Sequence, residues 1–244
     1  MMKKIAMMAA LLLSSFVSWC QADGVQSKAL RQLLMQRADY EKKMQADSTR
    51  PLGDFSEQRF AADRAVAALQ LQQLRSMDTS GMSFDDQITL RLLKFTLEDE
   101  VQEYELLRYL NPIVADGGFH MNLPFRVPRS VRTAADVQRY LRLLSDVPRF
   151  VQEHFLLMRR GLQKGISQPA VVVKSFAASY TRHQVAIAEE SVYYAPFAAA
   201  RPAAIDSASW QQYQQQAAQL VMQVVVPQYK AIQQFFESEY IPAT

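Results

Sequence analysis

The stretch that decides the fold runs from Thr133 to Gly165 and reads TAADVQRYLRLLSDVPRFVQEHFLLMRRGLQKG. Its large apolar side chains recur every three or four positions, which places them along one face of an α-helix. That face consists of Val137, Tyr140, Leu144, Val147, Val151, Phe155, Met158 and Leu162. A stripe of this length predicts helical structure that is packed against a core.

Polar and turn-forming residues mark where the helices in this stretch begin and end. Thr133 and Asp136 have the spacing of a capping box, in which each side chain binds the backbone N–H of the other residue. Pro148 cannot donate a backbone hydrogen bond, so it predicts either a kink or a new helix capped by Ser145 or Asp146. Gly165 suits the left-handed position just after a helix.

The helical pattern continues on both sides of this stretch. On the N-terminal side, Ser83 and Asp86 form another capping-box pattern, and Asn111-Pro112 is expected to close the helix that follows. The stripe of that helix consists of Leu90, Leu93, Leu97, Val101, Tyr104 and Leu107. The segments 25–46 and 56–76 are amphipathic too.

On the C-terminal side, Ser167 is expected to cap a helix that carries Pro169 in its first turn. Its stripe consists of Val172, Phe176, Tyr180, His183 and Ile187. The last helical region opens near Ser207, and Pro227 predicts a second kink. With 7 Gly and 10 Pro in 244 residues, the chain lacks the frequent turns of a β-sandwich or barrel. We therefore predict an all-α fold, a multi-helix array of long kinked helices.

One segment, 111–132, does not follow the helical pattern and is expected to be a long irregular loop. A loop of this length inside a compact helical chain is often functional. The apolar and basic side chains that could line a cleft there are Phe119, His120, Met121, Phe125, Arg126 and Arg129. The alternative is a connector that packs over the core.

The N-terminus has the pattern of a secretory signal peptide, with Lys3 and Lys4 ahead of the apolar run 5–17. Small residues favour cleavage after Ala22, which makes 1–22 the signal peptide and 23–244 a single helical domain in the periplasm or outside the cell. The alternatives are a lipoprotein attached through Cys20 and an uncleaved, buried helix. This run is too short to span a membrane as a helix, and no other apolar run approaches the required length.

The charge balance argues against a nucleic-acid partner. The chain has 27 Lys+Arg against 24 Asp+Glu, and removal of Lys3 and Lys4 with the leader leaves 25 against 24, a net charge of +1. A nearly neutral chain has no electrostatic footprint for nucleic acid or for an anionic membrane.

The sequence contains no pattern that predicts catalysis or metal binding. There is no His-Glu-x-x-His metal motif, no nucleophile elbow and no phosphate-binding loop. His120, His154 and His183 lie on separate segments, so a three-histidine metal enzyme is the weakest hypothesis. We interpret His183 as a hydrogen-bonded interior histidine and Glu189-Glu190 as solvated helix surface. No catalytic or metal-ligating residue is assigned.

Several short motifs share their order and spacing with a known family. They are Asn111-Pro112-Ile113, Tyr140 to Leu144 ahead of Pro148, the series Gly161, Gly165 and Pro169, and Val226-Pro227-x-Tyr229 followed by Phe235-Phe236 and Tyr240-Ile241-Pro242. Over residues 25–244 the chain resembles the N-terminal half of the bacterial domain of unknown function 885 family. Members are exported, largely helical and similar to zinc metallopeptidases.

The resemblance implies that the metal chemistry belongs to a C-terminal half with a His-Glu motif, which this sequence lacks. No zinc ligand can therefore be transferred to any residue here, and zinc enters only by analogy with complete members. The implied function is a non-catalytic, truncated or split segment that forms one wall of a substrate cleft. Expected partners are a chain carrying the second half, a second copy held through exposed apolar surface, or a peptide-like ligand. The alternative is a stand-alone periplasmic module that binds peptides or acts as a chaperone.

Overall fold

The computed structural model describes residues 24–45 and 49–244. The predicted signal peptide, its cleavage site and Cys20 lie outside these residues. Packing divides the chain into two compact units. Among the described residues, unit 1 comprises 24–45 and Phe60–Leu106, and unit 2 comprises 49–59 and Leu107–Thr244. The single helical domain expected over 23–244 stays a prediction.

Unit 1 is built from three long helices. They are α1 (Lys28–Gln45), α2 (Glu57–Arg75), whose first residues belong to unit 2, and α3 (Phe84–Glu105). Their buried faces form one small core of Val25, Leu30, Leu33, Leu34, Ala67, Leu71, Leu74, Leu93 and Leu97. The segments 25–46 and 56–76 are therefore helical over most of their length, as their amphipathic patterns predict.

The start of α3 follows its sequence signal, whereas its end does not. Ser83 Oγ accepts a hydrogen bond from Asp86 N at 3.2 Å, which confirms the N-cap. The Asp86 carboxylate is buried and accepts the backbone N–H groups of Gln26 and Ser27 at 3.1 and 2.8 Å. The helix ends at Glu105, before the expected Asn111-Pro112, because Leu107 turns to the left-handed conformation with φ 57°.

The segment 111–132 is more regular than its sequence predicts. It contains the antiparallel pair β1 (Ile113–Val114) and β2 (Gly117–Gly118), with Ile113 opposite Gly118. The short helix α4 (Phe119–Asn122) and a 3-10 turn (Leu123–Phe125) follow, and another 3-10 turn (Arg108–Leu110) precedes the strands. These are the only strands in the described part of the chain, so the all-α prediction is confirmed.

The stretch from Thr133 to Gly165 folds as its capping residues predict. It forms α5 (Ala134–Ser145) and α6 (Val147–Gln163). The capping box is present, since Thr133 Oγ1 accepts from Asp136 N at 3.1 Å and Asp136 Oδ2 accepts from Thr133 N at 3.0 Å. Pro148 lies in the first turn of a new helix with Asp146 as N-cap, and Gly165 adopts φ 71°.

The single helix expected from Ser167 to Ile187 is wrong. The structure has two short helices, α7 (Ala170–Lys174) with Pro169 as N-cap and α8 (Ala177–Thr181). The hydroxyls of Ser175 and Ser179 bind the carbonyls of Val172 and Phe176 at 2.6 and 2.5 Å. Serine side chains that bind nearby carbonyls compete with a continuous helix, so the stripe breaks here.

The C-terminal region is nearly continuous helix. After a 3-10 turn (Ala188–Glu190) and α9 (Ala195–Ala198), the chain forms α10 (Ser207–Leu220), a π-helical turn (Val221–Val225), α11 (Val226–Phe235), a second π-helical turn (Phe236–Tyr240) and a final 3-10 turn (Ile241–Ala243). A kink is predicted at Pro227, and the structure has a π-helical turn, Val221–Val225, just before this residue. A proline cannot donate to the preceding turn, so the hydrogen-bond register changes there.

Unit 2 has a large aromatic core. Ion pairs and hydrogen bonds connect the segment 50–55 to the start of α6, a helix of this core. The Arg149 guanidinium lies 2.6 Å from Asp146 Oδ2, 2.7 Å from Glu153 Oε2 and 2.8 Å from the Gly53 carbonyl. Leu52 N donates to Asp146 at 2.9 Å, so backbone and ion pairs converge on one end of α6. None of the helices described in the chain is long and apolar enough to cross a membrane.

Candidate functional site

Unit 2 contains a pocket beside the segment that the sequence singled out. We call it the loop pocket; its volume is about 490 Å³. It is lined by Pro124, Phe125, Val127, Pro128, Arg129, Arg182, His183, Glu190, Val192, Ala195 and Pro196. One wall comes from the segment after α4, and the other comes from the irregular chain between α8 and α9. Apolar side chains form most of the lining, with four ionisable groups among them.

Two cations of the loop pocket are not neutralised. Among the described residues, neither Arg129 nor Arg182 has a carboxylate within ion-pair distance. Arg182 Nε donates to His183 Nε2 at 3.3 Å, which leaves the outer guanidinium nitrogens available. Glu190 accepts one long hydrogen bond, 3.4 Å from Ala186 N. The pocket can therefore offer donors for an anionic group and one acceptor for a cationic group.

A second pocket of similar size, about 510 Å³, lies along α6 and differs in its charges. Its arginines are already paired, Arg159 with Glu239 at 2.7 Å and Arg160 with Glu57. Glu153, also in its lining, is paired with Arg50 at 2.6 Å. The charges of this second pocket are satisfied within the protein, so the loop pocket is the better candidate for ligand binding.

His183 forms the floor of the loop pocket. Its ring stacks on Tyr229 with centroids 4.3 Å apart, and the residue is 5% exposed. Burial, together with the neighbouring Arg182 charge, lowers the pKa of His183 to about 4. His183 is therefore neutral at physiological pH, and its interior, hydrogen-bonded position agrees with the interpretation from its apolar stripe.

Behind His183 lies a chain of buried tyrosine hydroxyls. Tyr193 donates to Tyr229 over 2.6 Å, and Tyr229 in turn donates to the His120 carbonyl over 3.1 Å. Tyr140 donates to the Tyr193 carbonyl over 2.9 Å. Burial raises the pKa of Tyr229, so its hydroxyl stays protonated. These bonds fix the backbone next to Val192, a lining residue, and use the protons of all three tyrosine hydroxyls.

The six residues predicted to line a cleft divide into two groups. Phe125, 72% exposed, and Arg129 line the loop pocket. Phe119 and His120 are buried, and Met121 is half-buried against the core. Arg126 lies over the ring of Phe55 with its guanidinium carbon 4.9 Å from the centroid. That these residues form a substrate cleft stays a prediction.

The buried His120 and the half-buried Ser179 form a pair that resembles a nucleophile and its base only superficially. Ser179 Oγ donates its proton to the Phe176 carbonyl, so His120 Nε2 must donate to Ser179 across 2.8 Å. His120 Nδ1 is buried without a partner, and burial lowers the pKa of the ring to about 3. A histidine that donates to the serine cannot take its proton, so this pair does not activate a nucleophile.

The three histidines were expected to lie on separate segments, and each has its own surroundings in the structure. Among residues 24–45 and 49–244, no three His, Cys, Asp or Glu side chains lie close enough to hold a metal ion. His154 Nδ1 donates to the Phe150 carbonyl at 2.7 Å, and its ring stacks on Phe119 with centroids 4.5 Å apart. The hypothesis of a three-histidine metal enzyme therefore has no geometric support.

Sequence reasoning missed the second wall of the loop pocket. Periodicity does not select Arg182, and Glu190, predicted as solvated helix surface, is exposed on a 3-10 turn beside the pocket. Both follow α8, where a continuous helix was expected and an irregular segment is found. The available signal was the pair of serines at 175 and 179, which favours helix interruption.

A family of bacterial proteins matches most of the chain. A family described as bacterial protein of unknown function (DUF885) matches residues 40–244. No curated protein matches the chain significantly. The match spans most of the chain and agrees with the motifs quoted from the sequence.

Proposed function

Since the chain belongs to the DUF885 family of bacterial proteins of unknown function, we propose that it is the non-catalytic helical segment of an exported, metallopeptidase-like protein. In this proposal the segment forms one wall of a substrate cleft and holds a peptide-like ligand. The observation that carries it is the loop pocket, where the unneutralised Arg129 and Arg182 stand beside an apolar lining.

The lining suits a peptide that ends in a carboxylate. A guanidinium presents two parallel N–H groups that match the two oxygens of a carboxylate. The apolar side chains around Val127 and Val192 can bury an aliphatic or aromatic side chain next to that group. The neutral His183 adds no further positive charge, so selectivity for the anionic group rests on the two arginines.

The N-terminal pattern supports export as part of the same proposal. Lys3 and Lys4 precede a short apolar run, as in secretory leaders, so the ligand would be met in the periplasm or outside the cell. A pocket for free carboxylates would select the C-terminal ends of peptides over internal segments.

We expect replacement of both pocket arginines to abolish carboxylate selectivity. Isothermal titration calorimetry measures this selectivity, with the tetrapeptide Ala-Ala-Ala-Phe once as the free acid and once as the C-terminal amide. The wild-type protein should bind the free acid about tenfold more tightly, as a charge-assisted hydrogen bond contributes about 1.5–3 kcal/mol. Arg129→Gln with Arg182→Gln should bind both forms equally weakly.

The matched control is Arg139→Gln, which removes an arginine that pairs with Asp136 outside the pocket. It should bind the free acid as the wild type does. Equal affinity of the wild-type protein for acid and amide would contradict carboxylate recognition. If the protein suppresses the aggregation of an unfolded protein, and the double variant does so equally well, the alternative chaperone-like module is favoured. The exposed Phe125 would then contact the unfolded protein.

A further inference from the structure

The loop pocket contains a carboxylate that its arginines do not neutralise. Glu190 belongs to the lining, and among the described residues no Lys or Arg lies within ion-pair distance of it. Arg129 and Arg182 line the same pocket and have no carboxylate partner either. Charges of both signs therefore line one cavity without pairing with each other, which leaves them available to a ligand that carries both signs.

Buried backbone on both sides holds Glu190 in place. The residue ends the 3-10 turn Ala188–Glu190. Ala188 and Ser191 are 4% and 5% exposed, and Ser191 N donates to the Ala188 carbonyl at 2.9 Å. Glu190 itself is exposed, and its carboxylate accepts the long hydrogen bond from Ala186 N. A charged group on a fixed backbone is suited to recognition, because little order has to be created when a ligand binds.

The two walls of the loop pocket contribute complementary groups. Arg129 and Val127 come from the segment after α4, whereas Glu190 and Val192 come from the irregular chain between α8 and α9. A ligand that bridges the walls would meet hydrogen-bond donors, apolar surface and an acceptor. A peptide with both ends free offers the matching groups, namely a carboxylate, side chains and an ammonium group with three donors.

The size of the loop pocket limits the length of such a peptide. An extended chain advances about 3.3–3.6 Å per residue, so a cavity of about 490 Å³, which is about 10 Å across, holds about three residues. A longer peptide would carry its ammonium group out of the pocket. A free amino acid carries both charges on one carbon atom, so it cannot bridge charged groups that are held apart.

We propose that the loop pocket recognises both ends of a di- or tripeptide, with Glu190 binding the free ammonium group. Arg129 and Arg182 bind the carboxylate, as in the proposed function on which this inference rests. The bond from an ammonium group to Glu190 is charge-assisted and is lost when the amino group is acylated. The ligand class is therefore narrower than peptide C-termini in general: it is short peptides with both ends free.

Isothermal titration calorimetry with Ala-Phe, N-acetyl-Ala-Phe and Ala-Phe amide examines the two ends separately. Acetylation should weaken binding to the wild-type protein about fivefold, as expected for an ion pair at a partly exposed site. Amidation should weaken it about tenfold, through loss of the charge-assisted bonds to the arginines. Glu190→Gln should bind Ala-Phe and N-acetyl-Ala-Phe equally well and should still prefer the acid to the amide.

The matched control is Glu189→Gln, which removes a neighbouring exposed carboxylate that lies outside the lining. This variant should keep the wild-type preference for the free ammonium group. Because both glutamates are exposed, both variants should keep the wild-type melting temperature, which separates lost recognition from misfolding. Equal loss of the preference in the two variants would indicate a general charge effect and would overturn the assignment to Glu190.

Peptide length supplies an independent test with the unmodified protein. Ala-Phe or Ala-Ala-Phe should bind most tightly, and both phenylalanine alone and Ala-Ala-Ala-Phe should bind several-fold more weakly. A wild-type protein that prefers acid to amide but ignores acetylation overturns this inference and leaves the proposed function standing. A protein that ignores both changes overturns the two together.

Discussion

Acidification from pH 7.5 to pH 5 is expected to lower the free energy of unfolding of unit 2 by about 6 kcal/mol. The cause is the set of three histidines His120, His154 and His183, all of which are buried in that unit. This loss is a large part of the total stability of a typical domain, so partial unfolding near pH 5 is expected.

Each histidine is held neutral for a structural reason. Burial lowers the pKa of His120 to about 3, and the Arg182 charge acts in the same direction. Burial likewise lowers the pKa of His154 to about 4, although its bond to the Phe150 carbonyl acts in the opposite direction. For His183 the pKa falls to about 4 through burial and the Arg182 charge.

The sign of the effect follows from the protons bound in each state. An unfolded histidine titrates near 6.5, so below that pH the unfolded chain binds protons that the native protein does not. The contribution of each histidine is therefore complete above about pH 7 and is lost as the pH falls toward the native value near 4 or 3. At pH 5 each histidine has lost about 2 kcal/mol.

Urea unfolding between pH 5 and 7, followed through the buried Trp210 of unit 2, measures this dependence. The slope near pH 5.5 should correspond to uptake of close to three protons on unfolding. His154→Phe should reduce that number by one whatever its own stability, and is therefore a sharp control. A slope of one proton or fewer in the wild-type protein would contradict the buried, neutral state of these rings.

The sequence predicted the parts of the fold that local chemistry controls. The capping box at Thr133 and the left-handed Gly165 each depend on residues within a few positions of one another, and both are confirmed. The expected helix through Ile187 failed because serine side chains and distant packing decided the backbone there. Arg182 lines the loop pocket because it lies on that same irregular segment, so its position could not be inferred from periodicity.

Helix α3 illustrates a different limit. Its sequence has two apolar faces, one through Leu93 and Leu97 and one through Phe84 and Phe95. The stripe predicted from Leu90 to Leu107 includes the face that is buried, through Leu93 and Leu97, but periodicity does not say that the second face stays exposed. Only the packing of α1 and α2 against the first face leaves the second one exposed, and that depends on residues far away in the chain.

Replacement of Gly161 by alanine is expected to destabilise unit 2 by about 3 kcal/mol. A Cβ atom at this position would lie 2.7 Å from the Leu110 carbonyl oxygen and 2.9 Å from that of Ile166. Both contacts are with backbone, which cannot rotate away as a side chain can. Leu110 is fully buried, and Ile166 N is itself bonded to the Gly161 carbonyl at 2.8 Å, so neither oxygen can move without breaking other interactions.

Two further glycine-to-alanine variants separate this clash from other effects. Gly165→Ala meets no atom within 4 Å but must adopt φ 71°, which costs about 1 kcal/mol. Gly81→Ala meets neither obstacle and should change stability by less than about 0.5 kcal/mol. Urea unfolding should rank the losses of unfolding free energy as largest for Gly161→Ala, then Gly165→Ala, then Gly81→Ala.

If Gly161→Ala were no more destabilising than Gly165→Ala, the close approach of the Leu110 turn to α6 would be incorrect. The expected ranking gives the two glycines different physical roles. Gly161 is needed because the Leu110 turn packs closely against the helix, and Gly165 is needed because the backbone there is left-handed.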